Sequence, residues 1–123
     1  MSAGTYDILV EQGATFVLTI TIKDTSGNPI DLTGQTFRGK IKKSFSDVTA
    51  QANFVCTLAN QITNPGKVTI ELSATDTAAI VLNTQGTARV LTTMVYDIES
   101  EIAGVVKRWL QGLAKISPEV TKP

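Results

Sequence analysis

Hydrophobic and polar residues alternate along most of this chain. Phe16–Ile22 is the clearest run, because its even positions are all apolar and Thr19 and Thr21 stand between them. A period of two is typical of a β-strand with one buried and one solvated face. The same period recurs in Ile8–Val10, Phe37–Ile41, Phe54–Leu58, Val68–Leu72, Val90–Ile98 and Leu110–Ile116. The pattern predicts an all-β protein of about seven short strands.

Turn-forming residues separate these runs. Asp24–Pro29 contains Gly27, and Asn64–Lys67 contains the Pro-Gly pair of a type II turn, with the glycine at the position that needs a positive φ. Glu99–Gly104 joins the last two strands and predicts a hairpin. Short strands at this spacing favour an antiparallel β-sandwich made of one domain, residues 1–123.

One segment departs from the period of two. Ser73 is a residue type that caps helices, Asp76 follows three positions later, and alanines come next. This order predicts a short helix near residues 74–82 that connects one sheet with the other.

Composition bears on the choice between an enzyme and a binding protein. The 123 residues have a formal net charge of zero, no histidine and a single cysteine, Cys56. Without histidine, the commonest general base and neutral-pH metal ligand is missing, and one cysteine makes neither an intrachain disulfide nor a thiolate cluster. We therefore expect no enzymatic activity, no cofactor and no metal. Cys56 shares the inward row of its strand with Phe54 and Leu58 and is expected to be a small buried hydrophobe.

The sequence also indicates where the protein is made. Met1–Thr5 has neither the basic nor the apolar part of a secretory signal, and the longest apolar run, Ala78–Leu82, is too short to span a membrane. We expect synthesis in a reducing cytoplasm and no membrane partner.

Three polar clusters carry alternative interpretations. Asp97 and Glu99 share a strand face and could act as a carboxylate pair, but two solvated charges are the better interpretation. Asp24–Asn28 has the oxygen-rich composition of a calcium loop, yet turns use the same residues and the closing glutamate is missing. Arg38 and its neighbouring lysines form the only basic cluster, on one strand face without interleaved aromatic residues, so we expect no nucleic-acid partner.

The last two strands predict a surface patch. Leu110, Gly112, Ala114 and Ile116 form the expected inner row of the last strand, with Arg108 returning to that row, and Met94, Tyr96 and Ile98 form that of the strand before it. The residues between them then point outward, which makes a candidate interaction patch of Leu91, Val95, Trp109 and Leu113. The alternative is that Ala78–Leu82 folds over this face and covers Trp109.

Four segments together resemble a known family. They are Tyr6–Phe16, Asn28–Gly34, Val95–Glu99 and Leu110–Thr121. In order and spacing they are similar to the immunoglobulin-like N-terminal domain of phage baseplate upper proteins, across essentially the whole chain. The resemblance implies an immunoglobulin-like sandwich that serves as a virion structural protein of the bacteriophage tail or baseplate. It also implies tail or baseplate proteins as partners, with homo-oligomers allowed, and supplies no catalytic residues.

A different function stays open beside this one. A β-sandwich module that binds carbohydrate or the host surface would present Trp109, Tyr6 or Tyr96 in a shallow polar groove. An enzyme accessory protein or a hydrolase is the least favoured class, since histidine is missing and no nucleophile stands at a suitable spacing from a base.

Overall fold

The protein is described by a computed structural model that covers residues 4–82 and 91–121. These residues are mostly β, as the alternation predicted, and Val90 lies outside them. The elements are β1 (Gly4–Thr5), β2 (Ile8–Glu11), β3 (Phe16–Thr21), β4 (Thr36–Lys42), β5 (Ala52–Leu58), β6 (Lys67–Leu72), α1 (Ala74–Ala78), β7 (Thr92–Ile102) and β8 (Val105–Ser117).

All eight strands belong to one curled sheet. Its order is β1-β8-β7-β4-β5-β6-β3, and β2 pairs with β8 beyond β1. β5 joins the two halves, because Ala52–Phe54 pairs with β4 whereas Val55–Leu58 pairs with β6. The curl encloses one core, whose fully buried members come from both halves of the sheet and include Val10, Ile41, Val68, Ile98 and Ile116.

The sheet is mixed, so the prediction of a purely antiparallel arrangement was wrong. β1 and β2 both run parallel to β8, with Gly4 opposite Leu110 and Val10 opposite Ile116. The other strand pairs are antiparallel. Alternation of apolar residues reports which face of a strand is buried and carries no information about strand direction, which is why the pattern missed the parallel pairs.

A tyrosine and a glycine hold the N-terminal segment against the last strand. Tyr96 lies directly opposite Gly112, and its buried hydroxyl donates a hydrogen bond to the carbonyl oxygen of Tyr6. A Cβ at Gly112 would collide with that same carbonyl. Gly112 is therefore needed for the close approach of the chain between β1 and β2 to β8.

The helix begins as predicted and ends earlier. The Ser73 hydroxyl accepts a hydrogen bond from the Asp76 N–H, which is the capping contact that the sequence predicted. α1 stops at Ala78, four residues before the predicted end at Leu82. Thr77, fully buried, donates to the carbonyl oxygen of Ala14 at 2.8 Å and so fixes the helix against the turn between β2 and β3.

The hairpin between β7 and β8 is tighter than predicted. Ala103 and Gly104 alone form its loop, with φ values of 50° and 80°, and Glu99–Ile102 belongs to β7. Two residues with positive φ make the turn that fits the twist of a β-hairpin. Ala103 stands at the first position, where asparagine or glycine is usual, so the sequence predicted the hairpin but not its two-residue turn.

The buried hydroxyl of Tyr96 predicts a loss of stability in alkaline solution. Burial, with the nearby charge of Asp7 as a second cause, raises the pKa of Tyr96 from 10 to about 12. Because the folded protein holds this proton more tightly than the unfolded chain does, the stabilisation is complete below pH 10 and is lost as the pH rises toward 12. Wild-type protein should therefore lose stability across this range more steeply than Tyr96→Phe does.

Urea unfolding at several pH values measures this difference. Tyr6→Phe is the matched control, because the Tyr6 side chain is half exposed and should leave the steep decline in place. Parallel pH profiles for wild type and Tyr96→Phe would contradict the role assigned to the Tyr96 proton.

Candidate interaction surface

The outer face of β4, β7 and β8 carries most of the residues that the sequence singled out. On β7 the even-numbered residues from Met94 to Ser100 are buried, so the odd-numbered residues face outward. Val95 lies directly opposite Leu113 of β8, and Leu113 is 38% exposed. Leu91, four residues before Val95, is 44% exposed, and the outward pair of Thr93 and Lys115 separates it from Val95 and Leu113. We call these three residues, Leu91, Val95 and Leu113, the outer patch.

Trp109 is not part of the outer patch. Ile98 pairs with Leu110 and Glu99 pairs with Arg108, so Trp109 is an extra residue without an opposite partner. Such a β-bulge directs two consecutive residues toward one face of the sheet. Trp109 and Leu110 accordingly both pack against the core. The placement of Trp109 on the outer face was wrong because strict alternation cannot anticipate an inserted residue.

Buried hydrogen bonds fix the Trp109 ring in this position. The indole Nε1 donates to the Ser100 hydroxyl at 2.7 Å, and that hydroxyl donates to Oε1 of Gln35 at 2.7 Å. Ser100, at the centre of this chain of hydrogen bonds, is 2% exposed, and Trp109 and Gln35 are partly buried. The alternative of a cover by Ala78–Leu82 is therefore not needed to explain why Trp109 is partly buried.

The same bulge turns Arg108 outward. The sequence predicted Arg108 in the inner row, and this was wrong because the extra residue inverts the facing of everything before it. Arg108 is exposed and its Nε lies 3.3 Å from a carboxylate oxygen of Asp97.

Charged residues occupy the other half of the outer face. Arg38 on β4 binds Glu99 at 2.7 Å and Glu101 at 3.0 Å. Hydrogen bonds to these carboxylates, Glu99 first, raise the pKa of the Arg38 guanidinium. Asp97 and Glu99 thus bind different cations, Arg108 and Arg38. Because part of the basic cluster is neutralised by the acidic row beside it, this face presents no uniform positive field.

A shallow hollow lies between the charged half and the outer patch. Its volume is about 410 Å³, and Lys42, Val95 and Phe45 are among the residues that line it. Phe45 lies in the loop between β4 and β5 and is 88% exposed. Phe45 was not among the site residues that the sequence predicted. The sequence feature that could have identified Phe45 is an aromatic residue between two serines. Because it belongs to no alternating run, no strand directs it into the core.

The remaining candidate groups have structural roles. Cys56 is partly buried and packs against the core, and burial raises the pKa of its thiol to about 11, so the reactive thiolate is scarce at neutral pH. The Asp24 carboxylate accepts hydrogen bonds from the N–H groups of Ser26 and Asn28 and forms a turn. Within the described ranges, no group of three His, Cys, Asp or Glu residues is placed to hold a metal ion.

Comparison with known proteins leaves this surface as the main guide to function. No protein-family model and no curated protein sequence matches the chain. The only helix among the described residues, α1, is too short to cross a membrane.

The hydrogen bond from Trp109 to Ser100 predicts a loss of stability when the Ser100 hydroxyl is removed. Ser100→Ala leaves the indole N–H and the Gln35 oxygen without their partner, and we expect a loss of about 1–3 kcal/mol in the free energy of unfolding. Ser46→Ala, in an exposed loop, should change it by less than about 0.5 kcal/mol. Urea unfolding followed by fluorescence measures both changes, because Trp109 is the only tryptophan.

The same fluorescence tests the position of the ring directly. Wild-type emission should be shifted to shorter wavelength than that of free tryptophan, with restricted quenching by iodide. Quenching equal to that of free tryptophan would show that Trp109 is exposed and that its assignment to the core is mistaken.

Proposed function

We propose that this protein is a non-enzymatic structural component of the bacteriophage tail or baseplate, located in the virion and built as an immunoglobulin-like β-sandwich. It acts by binding neighbouring tail or baseplate proteins through the outer face of β4, β7 and β8. The resemblance of four sequence segments to phage baseplate proteins supports the biological setting, and the curled two-halved sheet is compatible with the sandwich.

The outer patch is the observation that carries the assembly role. Val95 and Leu113 face each other on a solvent-exposed sheet face, where alternation normally places polar residues. The exposed Phe45 beside the hollow adds an aromatic side chain of the type enriched at interfaces. Apolar residues grouped on the surface of a folded protein usually mark a contact surface.

The charges around the outer patch favour a specific contact. Arg38 is bound within the protein by two carboxylates, those of Glu99 and Glu101. Such a polar rim next to an apolar centre is the usual anatomy of a protein–protein interface. The rim would fix orientation and register, and the outer patch would supply the gain from buried apolar surface.

The small size of the outer patch suits a repeated assembly better than an isolated complex. Three partly exposed aliphatic side chains bury too little area to offset the entropy of association by themselves. In a symmetric particle, many copies are held close together, and each further contact forms at a high effective concentration. Weak individual contacts are then sufficient for a stable structure.

Mass spectrometry of purified particles tests the biological setting. Particles of the phage whose genome encodes this chain should contain it in a fixed ratio to the other tail proteins. The chain should remain after the particles are banded in a density gradient. Its absence from intact particles, with abundant protein in the infected-cell lysate, would contradict the virion role.

Leu113→Glu tests the surface. The added charge on the outer patch would be buried without a partner in the assembled tail, so we expect the variant to fold but to be lost from particles at least about tenfold relative to wild type. Thr57→Glu is the matched control, since Thr57 is an exposed outward residue on β5, away from the outer patch. Equal incorporation of both folded variants would show that assembly does not use the outer patch.

A further inference from the structure

β3 is an edge strand of the sheet and lacks the features that usually prevent an edge from pairing with another strand. β3 ends the strand order, and among the described residues it pairs with β6 alone. Phe16–Thr21 contains no charged residue, no proline and no glycine. Proteins normally protect such an edge with charges, prolines, bulges or very short strands, because its free N–H and C=O groups invite another strand. The absence of these devices from β3 indicates a strand that pairs with something.

The other end of the sheet shows the protection that β3 lacks. β1 has only two residues, and it is separated from β2 by Tyr6 and Asp7, where the chain is held to β8 by a hydrogen bond from the Leu113 N–H to the Asp7 carboxylate. β2 has four residues and ends at Glu11. Neither strand is long enough to receive a partner along a regular edge.

The hydrogen bonds at the end of β3 show which of its backbone N–H and C=O groups point away from β6. The N–H of Ile22, just after β3, donates to the carbonyl oxygen of Gly66 at 2.7 Å, so Ile22 directs its backbone groups toward the β6 side. In an antiparallel pair this direction alternates from one residue to the next. Val17, Thr19 and Thr21 therefore direct their N–H and C=O groups toward the open edge.

A cleft lies beside this edge. It has a volume of about 660 Å³ and separates β3 from the opposite end of the curled sheet. Leu18 and Ile20 line it on one side, and Trp109 and Leu110 line it on the other. A strand added to β3 would place every second side chain on the core side of the edge, next to this apolar cleft.

We propose that β3 pairs in antiparallel fashion with β3 of a second copy of this chain, around a two-fold axis at Thr19. In this register Thr19 lies opposite Thr19, and Val17 lies opposite Thr21 of the other copy. All the open backbone groups of these three residues then gain partners in both copies. On the inner face Leu18 meets Ile20 of the other copy, so apolar residues face apolar residues along the whole contact.

Charge at the ends of β3 favours a second copy over an unrelated strand. An antiparallel two-fold pairing brings Lys23, two residues after β3, beside Thr15 of the other copy. Gly13 lies two residues before Thr15, and the Glu119 carboxyl group is packed against it. In this register the cation of each copy lies toward the carboxylate of the other, twice in each pair, which is the kind of self-complementarity that an isologous interface has.

The contact is small. A stable dimer in dilute solution usually buries about 1,200 Å² or more, and one strand pair provides less than this. We expect a dimer that forms at high protein concentration and dissociates on dilution. This self-pairing is separate from the proposed virion role, because it is measured on the isolated protein and needs no phage component.

Cysteine cross-linking tests the axis. In a Cys56→Ser background, Thr19→Cys places two thiols on directly opposed residues, whose Cα atoms in a β pair are about 5.5 Å apart and within disulfide range. Under mild oxidation this variant should form a covalent dimer at least about tenfold faster than Thr57→Cys in the same background. Thr57 is the matched control because it is an exposed threonine on β5, inside the sheet.

Two further variants test the register. Val17→Cys alone should cross-link slowly, because the two copies of residue 17 are separated by four residues along the strands, about 13 Å. A mixture of Val17→Cys and Thr21→Cys chains should cross-link rapidly, because these residues are opposed. Equal rates for all pairs would reflect random collision and overturn the proposed register.

The reversible dimer is measured without cross-links. Light scattering of wild type should show a mass that rises with concentration, and Thr19→Lys should stay monomeric where Thr57→Lys behaves as wild type. A wild-type monomer at millimolar concentration, together with Thr19→Cys cross-linking no faster than Thr57→Cys, would overturn self-pairing. Cross-linking of Thr19→Cys to a different protein alone would do the same.

Discussion

The extra residue in β8 determines which side chains of this strand face the core and which face solvent. Because Trp109 has no opposite partner on β7, the strand changes facing at this point, and Trp109 and Leu110 both reach the core. The Ser100 hydroxyl makes this arrangement stable by accepting the indole N–H inside the protein. Without the bulge, Trp109 would be exposed and Arg108 would be directed into the core. The outward ion pair of Arg108 with Asp97 and the lining of the apolar cleft by Trp109 and Leu110 both depend on this one insertion.

The sequence predicted the parts of the fold that follow from local pattern. Alternation located most of the strands, Ser73 and Asp76 located the start of the helix, and Val95 and Leu113, both expected to face outward, lie opposite each other on the outer face. The errors concern relations between distant segments. The parallel pairing of β1 and β2 with β8 joins residues more than a hundred positions apart, and no local pattern encodes it. The bulge at Trp109 is invisible for the same reason, since it is defined only by the strand opposite.

The outer face shows how one strand pair can combine two kinds of surface. Toward one end β7 carries carboxylates that neutralise Arg38 and Arg108, and toward the other it carries Val95 against Leu113. Composition predicted an overall balance of charge but not its arrangement. The structure pairs the charges across strands, which leaves the apolar residues as the feature that distinguishes this face from an ordinary solvated one.

The parallel alignment of the first strands with the last has a mechanical consequence. If the two ends of the chain are pulled apart, β2 and β8 are drawn in opposite directions along their length, so the hydrogen bonds from Ile8–Ala114 to Glu11–Ser117 carry the load together. Strands loaded in this way must slide as a unit, whereas the strands of a hairpin separate one bond at a time. The hydrogen bond from the Glu119 N–H to Gln12 adds to the same connection. This shear geometry gives the domain resistance to tension along its chain.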